Sequence, residues 1–223
     1  MKTPVTLTLE ELAELGERAS AAADAQAKKA GLRVAGLERS LSFAESRERG
    51  APHFSEVRIF IASSFDDLLA VAALRDVMAH VRPAGDWEFD KFDFVASHLL
   101  AVADDTAIGC IGMRYFADFT KLERLMVVPE FRSMNIGKAL IKAALGVSLT
   151  KGYRKIYAQT PAELFELWLG TGFRPLDGAE PDPRHPHLVD MVVEGRRLEE
   201  ASQNDLPKLF RFEEIWDLSS RPS

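Results

Sequence analysis

The sequence predicts one mixed α/β domain built on a mainly antiparallel sheet, and three patterns carry that reading. Residues 98–103, 107–116 and 121–128 are strand-like runs at short spacing. Asp104-Asp105 and Asp118 mark their turns, as in an antiparallel meander. Ahead of them, a run at 57–61 leads into a helical stretch with Val71, Leu74, Met78 and Val81 on one face. Behind them, residues 122–140 read as a strand entering a tight turn that opens a helix.

Taken in order, residues 8–50 read as helix. Thr8 and Glu11 form a capping box ahead of Leu12 and Leu15, and Gly31 interrupts the run. A second helical segment with Leu32, Leu37 and Leu41 stops at Gly50-Ala51-Pro52. Large apolar residues are too sparse here for a separate core, so residues 1–56 form an N-terminal extension. The main domain spans 57–194. Ser64 and Asp67 cap its first helix, which stops before Pro83. An acidic, aromatic loop follows at 86–94. Residues 136–150 make a helix with Ile136, Leu140, Ala143, Ala144 and Val147 at helical spacing, and 155–159 a short strand. Thr160 as N-cap and Pro161 at the first position open a further helix that ends near Gly170. Residues 173–175 are extended, and 188–193 form a last strand. Residues 195–223 are a polar tail with a short amphipathic helix at 206–218.

Composition narrows the function. Of 223 residues, 28 are Lys or Arg and 34 are Asp or Glu, a formal charge of −6. That argues against nucleic-acid binding through a general basic surface. The single cysteine, Cys110, forms no disulfide framework. His185 and His187 have no third ligand near them, so no metal site is read. No apolar run reaches membrane-spanning length, and the glutamate-rich N-terminus resembles neither a secretory signal nor a transit peptide. The cytoplasm is the expected compartment. The two appendages are consistent with a homodimer.

The chemistry concentrates in Leu122-Glu123-Arg124-Leu125-Met126-Val127-Val128-Pro129-Glu130-Phe131-Arg132-Ser133-Met134-Asn135-Ile136-Gly137-Lys138. A helix N-terminus presents unpaired N–H groups and partial positive charge. Small residues in the preceding turn let a phosphate approach the backbone, and Arg132 and Lys138 add charge beside it. The stretch therefore reads as a phosphate or pyrophosphate site.

The pattern V-x-P-E-F-R-x-x-x-I-G-K-A-L resembles the acyl-CoA-binding motif of the GNAT family of N-acetyltransferases. Arg132 matches the first position of that motif and Gly137 its last, while Asn135 replaces the middle glycine. Glu88-Phe89-Asp90-Lys91-Phe92-Asp93 resembles the family branch with an EFDxxD loop before the second strand. Ala158-Gln159, Gly172-Phe173 and residues 187–191 are similar to later family segments, so the resemblance covers about 57–194. It implies acetyl-CoA as cosubstrate and an α/β fold whose fourth strand splays from the fifth. The implied CoA-binding residues are Leu125, Met126, Val127, Val128, Arg132, Ser133, Met134, Asn135, Ile136, Gly137 and Lys138. A backbone N–H near Met126 would polarise the thioester carbonyl. Glu123 falls near the position of a base. Glu88, Asp90 and Asp93 would line the mouth for an amine. The family tyrosine that protonates the leaving thiolate maps to Trp168, which has no acidic proton, so Tyr157 is the substitute acid.

The implied function is acetyl-CoA-dependent N-acetylation of a small-molecule amine. Two alternatives stay open: a longer-chain N-acyltransferase like the N-acyl amino acid and autoinducer synthases, and a non-catalytic CoA-binding regulatory module.

Overall fold

A computed structural model describes residues 33–34, 56–81, 90, 92–103, 105–178, 185–202 and 210–212. The elements in chain order are β1 (Arg33–Val34), β2 (Val57–Ile61), α1 (Phe65–Val81), β3 (Ser97–Ala103), β4 (Thr106–Tyr115), β5 (Thr120–Val127) and α2 (Ile136–Thr150). They continue with β6 (Lys155–Pro161), α3 (Phe165–Leu169), β7 (Arg174–Pro175), β8 (Leu188–Glu194), α4 (Gly195–Ala201) and β9 (Phe210–Phe212). All nine strands form one sheet in the order β7-β8-β6-β5-β4-β3-β2-β9, with β1 on β4. Every pair is antiparallel except β5–β6, β2–β9 and β1–β4. This is the mixed, mainly antiparallel sheet the pattern predicts.

The centre of the sheet is apolar on both faces. Residues 107–113 of β4 are all buried. Helices α1 and α2 both pack on β3, β4 and β5, which explains why β4 reads as a continuous apolar run rather than an alternating one. α1 begins with a reciprocal cap: Asp67 N–H donates to Ser64 Oγ (3.1 Å) and Ser64 N–H to Asp67 Oδ2 (2.9 Å). α2 links the parallel strands β5 and β6, the connection such a pair requires.

Three expectations need correction. Residues 33–34 lie inside the predicted second helix but pair as a strand with Thr106 and Ala107. The last β5 partner on β4 is Gly109, so the start of β4 has an open edge there, and Val34 fills it. Likewise, residues 210–212 lie inside the predicted tail helix but form β9 against β2, burying Phe210. Third, Thr160 and Pro161 do not start a helix. β6 stays paired with β8 through Pro161↔Leu188, and a 3-10 turn at Ala162–Leu164 intervenes before α3. Strand pairing here outweighs the local preference for a cap. The other helix readings in 8–50 and 206–218 lie outside the described residues.

Candidate active site

β5 and β6 pair over three steps only, from Thr120↔Ile156 to Leu122↔Ala158. Both strands run on past that point, so they part after Leu122. A bulge sits directly at the parting. Between the pairs Gly112↔Glu123 and Cys110↔Met126, Arg124 and Leu125 of β5 stand opposite Ile111 alone. Arg124 is in the left-handed region, with φ 54°. Such a bulge bends the strand and increases its twist.

The bulge also sets which backbone groups face the opening. Val128 N–H donates to Ile108 O (2.9 Å). The Met126 carbonyl turns toward Gly109, where an added Cβ would lie 2.7 Å from it. Backbone groups alternate along a strand, so those of Leu125 and Val127 face the cleft. The sequence expectation of an N–H near Met126 shifts to these two neighbours, because Met126 itself is committed to β4 and buried.

Beyond β5, Pro129–Met134 form a 3-10 turn and Asn135 adopts φ 60°, ψ 15°. Asparagine is among the few residues that tolerate this conformation, which is what the middle position of the motif requires. α2 has no side-chain cap. Its first ladder bond runs from Ala139 N–H to Asn135 O (2.9 Å), so the N–H groups of Ile136, Gly137 and Lys138 precede the ladder. Arg132 Nε donates to Val127 O (3.1 Å), which holds this arginine against the end of β5. A Cβ at Gly137 would meet Leu167 Cδ2 at 3.4 Å, Val127 Cγ2 at 3.8 Å and Leu125 Cδ2 at 3.9 Å. Strand β5, the start of α2 and the short α3 thus converge on one spot. Leu167 was not legible as part of it, since an apolar residue in a short helix carries no chemical signal. Val128 and Ile136 are buried and offer backbone only, Met134 is half-buried, and the Ser133 side chain is outside the described set.

Glu123 is the first β5 residue past the last β5–β6 pair. Its carboxylate meets Arg114 Nε at 3.1 Å and Lys121 Nζ at 3.9 Å. Arg114 is flanked by the rings of Phe92 (4.9 Å) and Phe116 (5.6 Å). Lys121 also donates to Gln159 Oε1 (3.0 Å) and lies 5.9 Å from the Tyr157 ring centroid. Tyr157 pairs with Lys121 in register, so it shares this face, and its O–H donates to Asp190 Oδ1. The structure therefore brings Glu123 and Tyr157 to one half-buried polar surface. Arg114, Lys121, Gln159 and Asp190 belong to the same surface. Sequence reasoning missed Arg114, Gln159 and Asp190 because only strand register reveals that they share a face.

Asp93, expected at the mouth for an amine, sits elsewhere. Asp93 is 2% exposed and is held by two guanidiniums. Arg75 Nη1 meets Asp93 Oδ2 at 2.6 Å, and Arg124 Nη1 lies 2.6 Å from both carboxylate oxygens. Arg124 Nη2 reaches Asp90 Oδ2 at 2.6 Å. Burial raises the Asp93 pKa, but hydrogen bonds from Arg75 and Asp90 N–H and the charges of Arg75 and Arg124 outweigh it, and the net direction is down. His98 Nε2 lies 3.0 Å from Asp93 O. Burial pushes the His98 pKa down, with the nearby Arg75 and Arg124 charges adding to that direction. Asp93 is thus a buried counter-ion, closed to an amine. Asp90, half-buried, is engaged by the same arginine, and Glu88 lies outside the described residues. Arg75 left one trace in the sequence: it falls four residues after Val71, on the apolar stripe of α1.

Trp168 is buried on α3, with its ring edge-on to Phe173 at 4.8 Å. It packs the core where the resemblance would place a proton donor. Cys110 is buried, and burial pushes its thiol up to about 12, so it is no nucleophile near neutrality.

Comparison with known proteins follows this geometry. Residues 67–166 match the profile of the Acetyltransferase (GNAT) family. The match contains β3, β4, β5, α2 and β6, which form the parted strands and the uncapped helix start. The likeness to the GNAT family thus covers residues 67–166, a little under half of the chain. Across 88 residues the chain is 30% identical to a Bacillus subtilis protein whose name proposes an acetyltransferase, covering 37% of this chain and 60% of that one. The chain thus spans under two thirds of that relative. Among solved structures, BjaI, a CoA-dependent acyl-homoserine lactone synthase, superposes with a TM-score of 0.56 at 16% identity, covering 70% of this chain and 93% of that one. Escherichia coli ElaA gives 0.51 at 18% identity, covering 62% and 99%. At these identities the likeness is one of fold.

Proposed function

We propose that this GNAT-like domain transfers an acyl group, acetyl in the first instance, from acyl-CoA to the amine of a small molecule. The observation that carries the reading is the cleft where β5 leaves β6, opening beside the uncapped start of α2. The N–H groups of Ile136, Gly137 and Lys138 would hold the pyrophosphate, with Lys138 and Arg132 adding positive charge. The inward-facing backbone of Leu125 and Val127 would pair with the pantetheine arm and polarise the thioester carbonyl.

In the reaction, the amine nitrogen attacks the carbonyl carbon, the C–S bond breaks and CoA leaves as thiolate. Glu123 accepts the proton lost by the amine, directly or through water. Arg114 and Lys121 keep that carboxylate aimed toward the cleft. Tyr157 is the phenol on the Glu123 face. Its O–H is directed to Asp190, so protonation of the thiolate by Tyr157 requires that bond to open.

Calorimetric titration with CoA tests the site through Lys138→Glu. Glutamate three positions into a helix suits the positive end of the dipole, so the melting temperature should hold within about 2 °C, roughly one small interaction. CoA affinity should fall at least about tenfold, or about 1.4 kcal/mol. Unchanged affinity would remove the α2 N-terminus as the phosphate site.

A further inference from the structure

The acyl-CoA reading does not use the buried charge cluster, and the cluster meets the cleft at one residue, Arg124. Four elements contribute to it: Arg75 from α1, Asp90 and Asp93 from the loop before β3, His98 from β3, and Arg124 from β5. The loop is itself tied by Asp90 N–H to Asp93 Oδ2 (2.7 Å) and by Phe92 N–H to Asp90 Oδ1 (2.7 Å). Arg124 is the bulge residue, at φ 54°. Arginine has no local hydrogen-bonding reason to adopt that conformation, and a non-glycine residue keeps it only where its surroundings impose it. The surroundings here are two carboxylates at 2.6 Å.

We propose that Asp93, backed by Arg75, is a positioning residue that holds Arg124 left-handed and so keeps the β5 bulge in place. The bulge decides the phase of β5 beyond Glu123. Without it, the strand slips by one residue and the backbone of Leu125 and Val127 turns from the cleft toward β4. The carboxylate thus controls the acyl-CoA cleft without touching it. This inference rests on the reading of the cleft as the acyl-CoA site, and one arm of its test is independent of that reading.

The test compares Asp93→Asn, Arg124→Gly, Arg124→Ala and the double variant Asp93→Asn/Arg124→Gly. One readout is hydrogen exchange of residues 120–128 without ligand, and the other is calorimetric CoA affinity. Glycine adopts the left-handed conformation freely, so it needs no anchor. Asp93→Asn should speed exchange and weaken CoA about tenfold, the size expected from losing support for one strained residue. Arg124→Gly should stay within about threefold of the parent, and the double variant should recover most of the Asp93→Asn loss. Arg124→Ala removes the same side chain but keeps the cost of positive φ. It should bind CoA about tenfold more weakly than Arg124→Gly, and this pair carries the test if Asp93→Asn does not fold.

A cluster that only stabilised the fold would shift the melting temperatures of these variants and leave the CoA affinity of the folded protein unchanged. Equal or weaker binding by Arg124→Gly than by Arg124→Ala, or a double variant no better than Asp93→Asn, overturns the proposal. If the parent protein does not bind CoA, the acyl-CoA reading fails, and the exchange rates still decide whether Asp93 anchors the bulge.

Discussion

The same substitution should have opposite effects at two glycines, and the geometry sets both signs. At Gly109 on β4, a methyl group would lie 2.7 Å from the Met126 carbonyl and 3.3 Å from Leu140 Cδ1. The first contact is with backbone, so neither a rotamer change nor a flexible side chain can relieve it. Either β5 must move off β4 or the helix behind must give. Overpacking of this kind costs about 1–3 kcal/mol, offset by about 0.4–1 kcal/mol from the lower chain entropy of unfolded alanine. The net loss for Gly109→Ala is about 1–2 kcal/mol, which lowers the melting temperature by roughly 2–8 °C in a domain of this size. At Gly146, inside α2, an added Cβ meets nothing within 4 Å. There Gly146→Ala should stabilise by about 0.5–1 kcal/mol, raising the melting temperature by roughly 1–4 °C. Thermal unfolding by circular dichroism measures both. Gly109→Ala as stable as the parent would refute the close approach of β4 to the Met126 carbonyl. A destabilised Gly146→Ala would refute the open surface at that helix position.

Two further outcomes follow. Glu123→Gln should lower kcat for acyl transfer about 10²-fold or more, the usual contribution of a positioned base, while CoA affinity changes little. An unchanged kcat in steady-state assays would remove Glu123 as the base. Stability should also decline in two stages on acidification, followed by urea unfolding at each pH. The folded pKa of His98 is below its ordinary 6.5, so the unfolded chain binds a proton that the folded one refuses. Stability therefore falls as pH drops below 6.5, by at most about 1.4 kcal/mol per pH unit for one proton. The folded pKa values of Asp90 and Asp93 are below 3.8, so their contribution is present above 3.8 and is lost below it. His98→Gln should flatten the first stage alone, and an unaltered profile would contradict the assignment.

Much of the fold was legible because its signals are local. The Ser64 and Asp67 cap, the turn aspartates of the meander and the periodicity of Ile136, Leu140 and Val147 each act within a few residues. Strands of two or three residues, such as Arg33–Val34 and Phe210–Phe212, have no period to detect and exist only through a distant partner. The candidate site divides along the same line. The strand–turn–helix from Glu123 to Lys138 was readable, since one short segment builds it. The burial of Asp93 was not. Asp93 looks like a surface charge until α1 brings Arg75 and β5 brings Arg124 to it. Nor does anything in Glu123-Arg124-Leu125 mark a bulge, because the usual glycine is missing and a remote ion pair accompanies the conformation instead.

The most direct test of the central claim is release of free thiol from acetyl-CoA by the purified protein, measured against a panel of small amines. The account predicts CoA release that depends on the amine, with the acetyl group recovered as an amide by mass spectrometry. Tight CoA binding with no amine-dependent thiol release from acetyl-CoA or longer acyl-CoA donors would contradict it and leave a CoA-binding module in its place.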